Sequence, residues 1–254
     1  MKTLKRTLGL FLLFCFLIAA FAGPAQAQDK KADEIVSKHL EALGGVDNIK
    51  SLQSIKQIGE VSMPMMGMVM PMMVYQERPD KVRSEVEVNA NGTEMEIISG
   101  FDGTVAWTIN PMQGGGVQDL PEDQRGPLDY LSDMDGPLVD YADKGNTIEY
   151  IGEEETAGVN MHKIKLTQAD STETFLFFDP ETHLQIKSVS EAPNPMTGAN
   201  AQVEMMFSDY REIENILYPF HIEIKVDGQV FQQVALSTVV LNEDFDDVLF
   251  AKPQ

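Results

Sequence analysis

The residues of this chain with the chemistry to bind or transform a ligand are four histidines, a run of methionines and many carboxylates. His39, His162, His183 and His221 are scattered, and none stands in the paired spacing of a zinc protease. No Gly-x-Ser-x-Gly elbow occurs, and Gly114-Gly115-Gly116 lacks the lysine and helix start that a phosphate-binding loop needs. Carboxylate pairs such as Glu153 and Glu155 arise readily in a chain with 40 acidic residues, so they say little about acid–base catalysis. A non-enzymatic protein without a cofactor is expected. The methionines carry more information. Seven fall between Met63 and Met73: Met63, Met65, Met66, Met68, Met70, Met72 and Met73. Thioethers are soft ligands suited to Cu(I), and they are also unbranched, polarizable fillers of irregular apolar space. Strand alternation sends such residues to both faces, so only about half could converge on a metal. No histidine accompanies them. A hydrophobic wall without a metal is the expected reading, and a Met-rich Cu(I) site is the alternative.

The elements that would position these residues are mostly strands. Pro64 and Pro71 push the methionine segment towards a sheet edge or rim, and the turn at Arg78-Pro79-Asp80 leads into a second strand. Before it, Ala32, Ile35, Val36, Leu40 and Leu43 recur at helical spacing from Asp29 to a stop at Gly44-Gly45, with His39 packed on the apolar face. Beyond Leu52 the period becomes two. Val82, Val86 and Val88 face one way and Arg83, Glu85 and Glu87 the other, with turns at Asn91-Gly92 and Asp102-Gly103. Residues 114–145 break this rhythm. After the glycine run, Leu128, Leu131, Met134 and Leu138 fall at helical spacings interrupted by Gly136-Pro137, which predicts two short helical pieces with a hinge, serving either as a plain connection or as a mobile cover. Strands then resume, with Phe220, Ile222, Ile224 and Val226 inward, and with Phe175-Leu176-Phe177-Phe178 apolar on both faces. About 11 strands exceed what a flat sheet carries, so the expected architecture is mainly β: one strongly curved antiparallel sheet closed by an N-terminal helix and a central helical lid.

Lys2, Lys5 and Arg6 precede an apolar run, Leu8 to Ala22, and Ala25-Gln26-Ala27 supplies small residues for cleavage. Residues 1–27 thus read as an export signal, with residues 28–254 forming a single domain. Bulky Phe14 before Cys15 argues against lipidation at that cysteine, and the remainder contains no cysteine for disulfides or thiolate chemistry. A formal charge of −21 disfavours nucleic acid and anionic headgroups as partners.

Three pieces occur in order: Arg78-Pro79-Asp80-Lys81-Val82; Phe101-Asp102-Gly103-Thr104-Val105-Ala106-Trp107 with Asn110-Pro111; and Phe245-Asp246-Asp247-Val248-Leu249-Phe250 with Pro253. In this order, and with the Leu43-Gly44-Gly45 helix end, the chain resembles the LolA-like periplasmic lipoprotein-carrier family. The resemblance implies an incomplete barrel, closed by helices, that holds acyl chains of lipoproteins or lipids and moves them towards the outer membrane. It implies a periplasmic location, an inner-membrane release complex and an outer-membrane acceptor as partners, and a monomer. A sister group of the same fold senses lipids or lipoproteins in envelope stress. An arginine alone would be expected to pair with Glu77 or Asp80; the resemblance instead gives Arg78 the task of holding the lid shut. Met68, Met70, Met72, Val82 and Trp107 are the expected cavity wall, and Leu131, Met134 and Leu138 the expected seal from the lid.

Overall fold

From Ser54 onward, alternating apolar residues pair into one antiparallel sheet. The structure is a computed structural model and describes residues 24–254 apart from Asn91 and Ala157. Most of the expected export signal, including Lys2 and Cys15, lies outside the described residues, as does Asn91 of the expected Asn91-Gly92 turn. The first helix, α1 (Pro24–Ala42), begins within the expected signal, so the expected cleavage position after Ala27 falls in its first turns. A second short helix, α2 (Val46–Ser51), follows.

Six strands then run back and forth: β1 (Ser54–Met63), β2 (Met68–Glu77), β3 (Lys81–Ala90), β4 (Thr93–Phe101), β5 (Ala106–Ile109) and β6 (Val117–Asp119). After helix α3 (Gly126–Ser132) come β7 (Thr147–Thr156), β8 (Val159–Thr167), β9 (Glu173–Phe178), β10 (Gln185–Pro193), β11 (Asn200–Ile213), β12 (Ile216–Val226) and β13 (Gln229–Leu241). Among the described residues these make a 13-stranded sheet ordered β6-β5-β4-β3-β2-β1-β13-β12-β11-β10-β9-β8-β7. The sheet is open: β6 and β7 are its two edges. β6, hidden in a Gly-rich stretch, is one of the strands that the expected 11 omitted.

This topology has a direct consequence for the site. The chain leaves the sheet at one edge and re-enters at the opposite one, so residues 120–146 must cross from edge to edge. Register shifts at Ile58/Gly59, Tyr150/Gly152, Gln185/Lys187 and Ile224/Lys225 add twist and bend. At Gly59 a Cβ would stand 2.3 Å from the Ala235 carbonyl oxygen, so this bend requires glycine.

Two separate cores form on the inner face. α1 lays Ala32, Ile35, Val36, His39 and Leu40 against Ile148, Ile164, Leu166, Leu176 and Phe178 of β7–β9. α3 packs over β2–β4, with Leu128 among Met70, Met72, Val74, Val82 and Phe101. Gly44 (φ +119°) ends α1 where any Cβ would meet the Asn215 carbonyl oxygen of the β11–β12 turn, which locks the helix end to the sheet.

Two expectations need correction. The methionine strand β2 is interior, lying between β1 and β3. Its pairing with β3 stops at Met72↔Val86, however, and Pro71, which has no N–H to offer, sits just beyond that point, where the two strands part. The second lid piece, after Gly136-Pro137, is a series of turns rather than a helix. β9, apolar on both faces, lies inside the sheet between β8 and β10, with α1 over one face. On the other, the ammonium groups of Lys163 and Lys187 lie 5.2 and 4.0 Å from the centre of the Phe177 ring, so long cationic side chains shield that face.

Candidate functional site

Side chains directly opposite across paired strands share a face, so the register sorts the expected site residues. Met68, Met70 and Met72 pair with Met63, Val61 and Gly59, and Val82 pairs with Gln76 and Phe101; all of these belong to the inner face. Met70, Met72 and Val82 are buried in the core beneath α3, while Met63 and Met68 sit partly open at the end of the hairpin. Met65 and Met66 are exposed in the connecting turn.

Trp107 does not belong to this wall. It pairs with Gly100, which pairs with Arg83, whereas Ala106 and Val82 pair with Phe101 on the inner side. Trp107 is fully buried on the outer face, beneath the C-terminal segment, where its indole N–H donates to the Phe250 carbonyl at 3.0 Å and the Arg83 guanidinium covers its ring at 5.6 Å. Tyr75, Phe245 and Phe250 complete this outer cluster. The aromatic signal in the Phe101–Trp107 and Phe245–Phe250 pieces therefore reports how the chain's end is fastened to the back of the sheet.

The crossover has one foot in each core. Leu131 and Met134 pack with Leu128 in the first; Leu138 and Val139 are buried in the second, beside α1. Between them the Arg78 guanidinium grips Asp135, with Nη1–Oδ2 at 3.0 Å and Nη2–Oδ1 at 2.6 Å. Its Nη2 also donates to the Ile49 carbonyl at 3.1 Å, and its Nε to the Leu52 carbonyl, at the end of α2. The planar fork of arginine suits this combination of a bidentate carboxylate with helix-end carbonyls. Hydrogen bonding to Arg78, together with its charge, holds the Asp135 carboxyl below the ordinary carboxylate range. Lys144 adds bonds to Asp133 and to the Gly136 carbonyl, each at 2.7 Å, and Lys50 pairs with Asp140.

Beside the first core the inner face of β11–β13 is mostly apolar, with Gln232 opposite Ile224, and only half covered. Met205 pairs with Ile224, Phe207 with Ile222, and Ile222 with Val234, and all five side chains are partly accessible. At the end of this trough lies a cleft of about 160 Å³, lined by Met65, Met196, Val226 and Phe231 with Asn194 and Gln229. Tyr130 of α3 exposes 60% of its surface, yet burial pushes its phenol above the ordinary value. A larger groove, about 530 Å³, lies on the surface between α1 and residues 138–143, where Val36, Leu40, Val46 and Leu138 form an apolar floor rimmed by Asp33, Glu41, Asp140 and Asp143.

Sequence reasoning missed the polar residues of the inner face beneath α3. Gln57 and Gln76 are buried at inward positions of β1 and β2, where alternation calls for apolar side chains. Gln57 Nε2 donates to Gln76 Oε1 at 2.8 Å and to the Tyr218 hydroxyl at 2.9 Å, and Gln76 Nε2 donates to the Leu131 carbonyl of α3. The signal that could have found them is a glutamine breaking each inward row: Ile55, Gln57, Val61 and Met72, Val74, Gln76. His39 is a packed residue: its Nδ1 meets the His183 carbonyl at 3.0 Å, and burial pushes its pKa down to about 4. Among the described residues no group of three or more His, Cys, Asp or Glu side chains is arranged to hold a metal ion.

The sequence matches no protein-family model and no curated protein. Solved structures do match. A protein of the DUF1329 family from Desulfovibrio piger aligns with TM-score 0.58 at 12% identity, covering 88% of this chain and 97% of that one. A domain from Vibrio parahaemolyticus, named as an outer membrane lipoprotein-sorting protein, aligns with TM-score 0.59 at 10% identity over 88% and 97%. A LolA superfamily protein from Nitrosomonas europaea aligns with TM-score 0.53 at 15% identity over 91% and 99%. These likenesses span nearly the whole described chain, agree on one open, curled antiparallel sheet, and show that this protein has the LolA-like fold.

Proposed function

We propose that the protein is a non-enzymatic periplasmic carrier that shelters acyl chains of lipoproteins or lipids in the trough beside its first core and moves them towards the outer membrane. The observation that carries this reading is the half-covered apolar face of β11–β13 lying beside a crossover segment fastened at its midpoint by Arg78. A sheet face that is apolar and only half buried calls for a further apolar occupant.

The mechanism is transfer between apolar media. Each buried CH2 contributes about 0.8 kcal/mol, so one acyl chain binds appreciably, while the few polar contacts of the crossover set when it leaves. Partly exposed Met63 and Met68 at the end of the hairpin adapt to varied chains, which favours breadth over sharp selectivity. Met70 and Met72 are committed to packing beneath α3, which leaves their thioethers poorly placed for a metal. Handing cargo on would require an inner-membrane release complex and an outer-membrane acceptor as partners.

Delipidated protein titrated with a fluorescent acyl ester is expected to bind it saturably, and Cu(I), delivered from a chromophoric chelator, is expected neither to compete nor to bind tightly. Tight Cu(I) binding that disappears when Met68 and Met70 are replaced, in a protein that ignores the acyl probe, would establish the copper reading instead.

A further inference from the structure

The polar cluster beneath α3 has its hydrogen-bond directions fixed by one group that can act in only one sense. The Leu131 backbone carbonyl only accepts, so the end of Gln76 that meets it is the amide NH2, and Gln76 Oε1 is turned towards Gln57. Gln57 must then present its own NH2, and the same nitrogen lies against the Tyr218 hydroxyl oxygen. Both amide protons are thereby committed. Tyr218 accepts, and its own proton is left to donate. Among the described residues nothing accepts that proton.

Tyr218 is partly accessible, shares the inner face with Phe220 and Ile222, and has Tyr130 of α3 for a neighbour. The surroundings disfavour an anion. Arg211, the register partner of Tyr218, is committed to Asp209 through bonds of 3.1 and 2.6 Å and stacks on the Phe220 ring at 4.3 Å. Burial also pushes the Tyr218 phenol upward, as expected where negative charge is poorly solvated.

We propose that the Tyr218 hydroxyl, aimed by Gln57, Gln76 and the α3 carbonyl, is a hydrogen-bond station for the uncharged carbonyl oxygen of an acyl ester or amide. The trough then holds its ligand at the linkage as well as along the hydrocarbon; this rests on the carrier reading above. It also couples grip to closure. The acceptor that orients the relay belongs to the lid helix, so when α3 lifts, Gln76 loses its anchor and the Tyr218 proton loses its direction.

The test is a displacement titration of delipidated protein, preloaded with a fluorescent acyl probe, by methyl palmitate, palmitate anion and hexadecane. The wild-type chain is expected to bind the ester more tightly than the anion. Tyr218→Phe should weaken the ester about fivefold, the effect of one neutral hydrogen bond, and leave hexadecane unchanged. Gln57→Leu keeps the hydroxyl but not its aim, and should give a smaller loss confined to the ester. The station is overturned if Tyr218→Phe shifts ester and hexadecane alike or shifts neither, if Gln57→Leu leaves the ester at wild-type affinity, or if the anion binds more tightly than the ester. Failure of the wild-type chain to take up the probe or any of the three ligands would overturn the carrier reading itself, and the station with it.

Discussion

Arg78→Leu is expected to release the crossover while leaving the sheet folded. The substitution removes two bonds to Asp135 and those to the Ile49 and Leu52 carbonyls, and it strands a carboxylate whose side chain is only 19% exposed. Breaking a partly buried ion pair by deleting one partner costs about 2–3 kcal/mol, most of it from the charge left behind. The loss should be local. In hydrogen exchange followed by mass spectrometry, residues 126–146 should lose protection first, with β1–β5 and β7–β13 retaining theirs. Bound acyl probe should leave faster. Arg78→Lys keeps the charge but not the fork and should fall between the two. Because the folded-state pKa of Asp135 is depressed, its contribution is present above the ordinary value of 3.8 and is lost as the pH falls below that value towards the depressed one. Acid should therefore loosen the crossover of the wild-type chain in the same exchange experiment and narrow its difference from Arg78→Leu, in which protonation relieves the stranded carboxylate. Unchanged protection of 126–146 in Arg78→Leu would show that the two hydrophobic feet alone hold the segment.

Trp107→Ala is expected to produce the largest loss of stability without touching the site. The indole is fully buried and holds the Phe250 carbonyl, so truncation opens a cavity and leaves that carbonyl unpaired, at a cost of about 3–5 kcal/mol. Chemical denaturation should show this loss, and exchange should show the C-terminal segment 242–250 detaching from the back of the sheet. The folded protein should bind acyl probe with wild-type affinity, since Phe207, Ile222 and Val234 of the trough lie on the other face of the sheet. Trp107→Phe, which keeps most of the volume, should recover much of the stability. A folded Trp107 variant with weakened acyl binding would return this residue to the wall.

These two residues also mark how far the sequence could be read. Period-two alternation gave the faces of β3 and β12 correctly because each strand buries one side, and the inward valines and isoleucines have no other solution. The same logic could not place Trp107. Its strand, Ala106–Ile109, has four residues, and whether its aromatic or its small residues face inward depends on the C-terminal segment that covers the back. β6 and α2 were too short to show a period, with three and six residues. Pro71 argued for an edge, and the sheet supplies one locally by letting β2 and β3 separate beyond Met72. The resemblance gave Arg78 a task at the lid, but the partner, Asp135, carried no signal of its own among four neighbouring aspartates from Asp129 to Asp140. Helical spacing groups Leu138 with Leu131 and Met134, whereas it is buried in the second core with α1, on the far side of the Gly136-Pro137 hinge. Gln57 and Gln76 were legible in principle, as polar interruptions of inward rows. Their meaning depends on Tyr218 and Leu131, distant in sequence and brought together only by the curled sheet.

The most direct measurement is native mass spectrometry of the protein purified gently from its own envelope. A sheltering hollow predicts a species heavier than the bare chain, the extra mass being an acylated molecule that is released on denaturation, and a lower occupancy for Arg78→Leu. A bare chain that also gains no mass after incubation with lipid vesicles would contradict it.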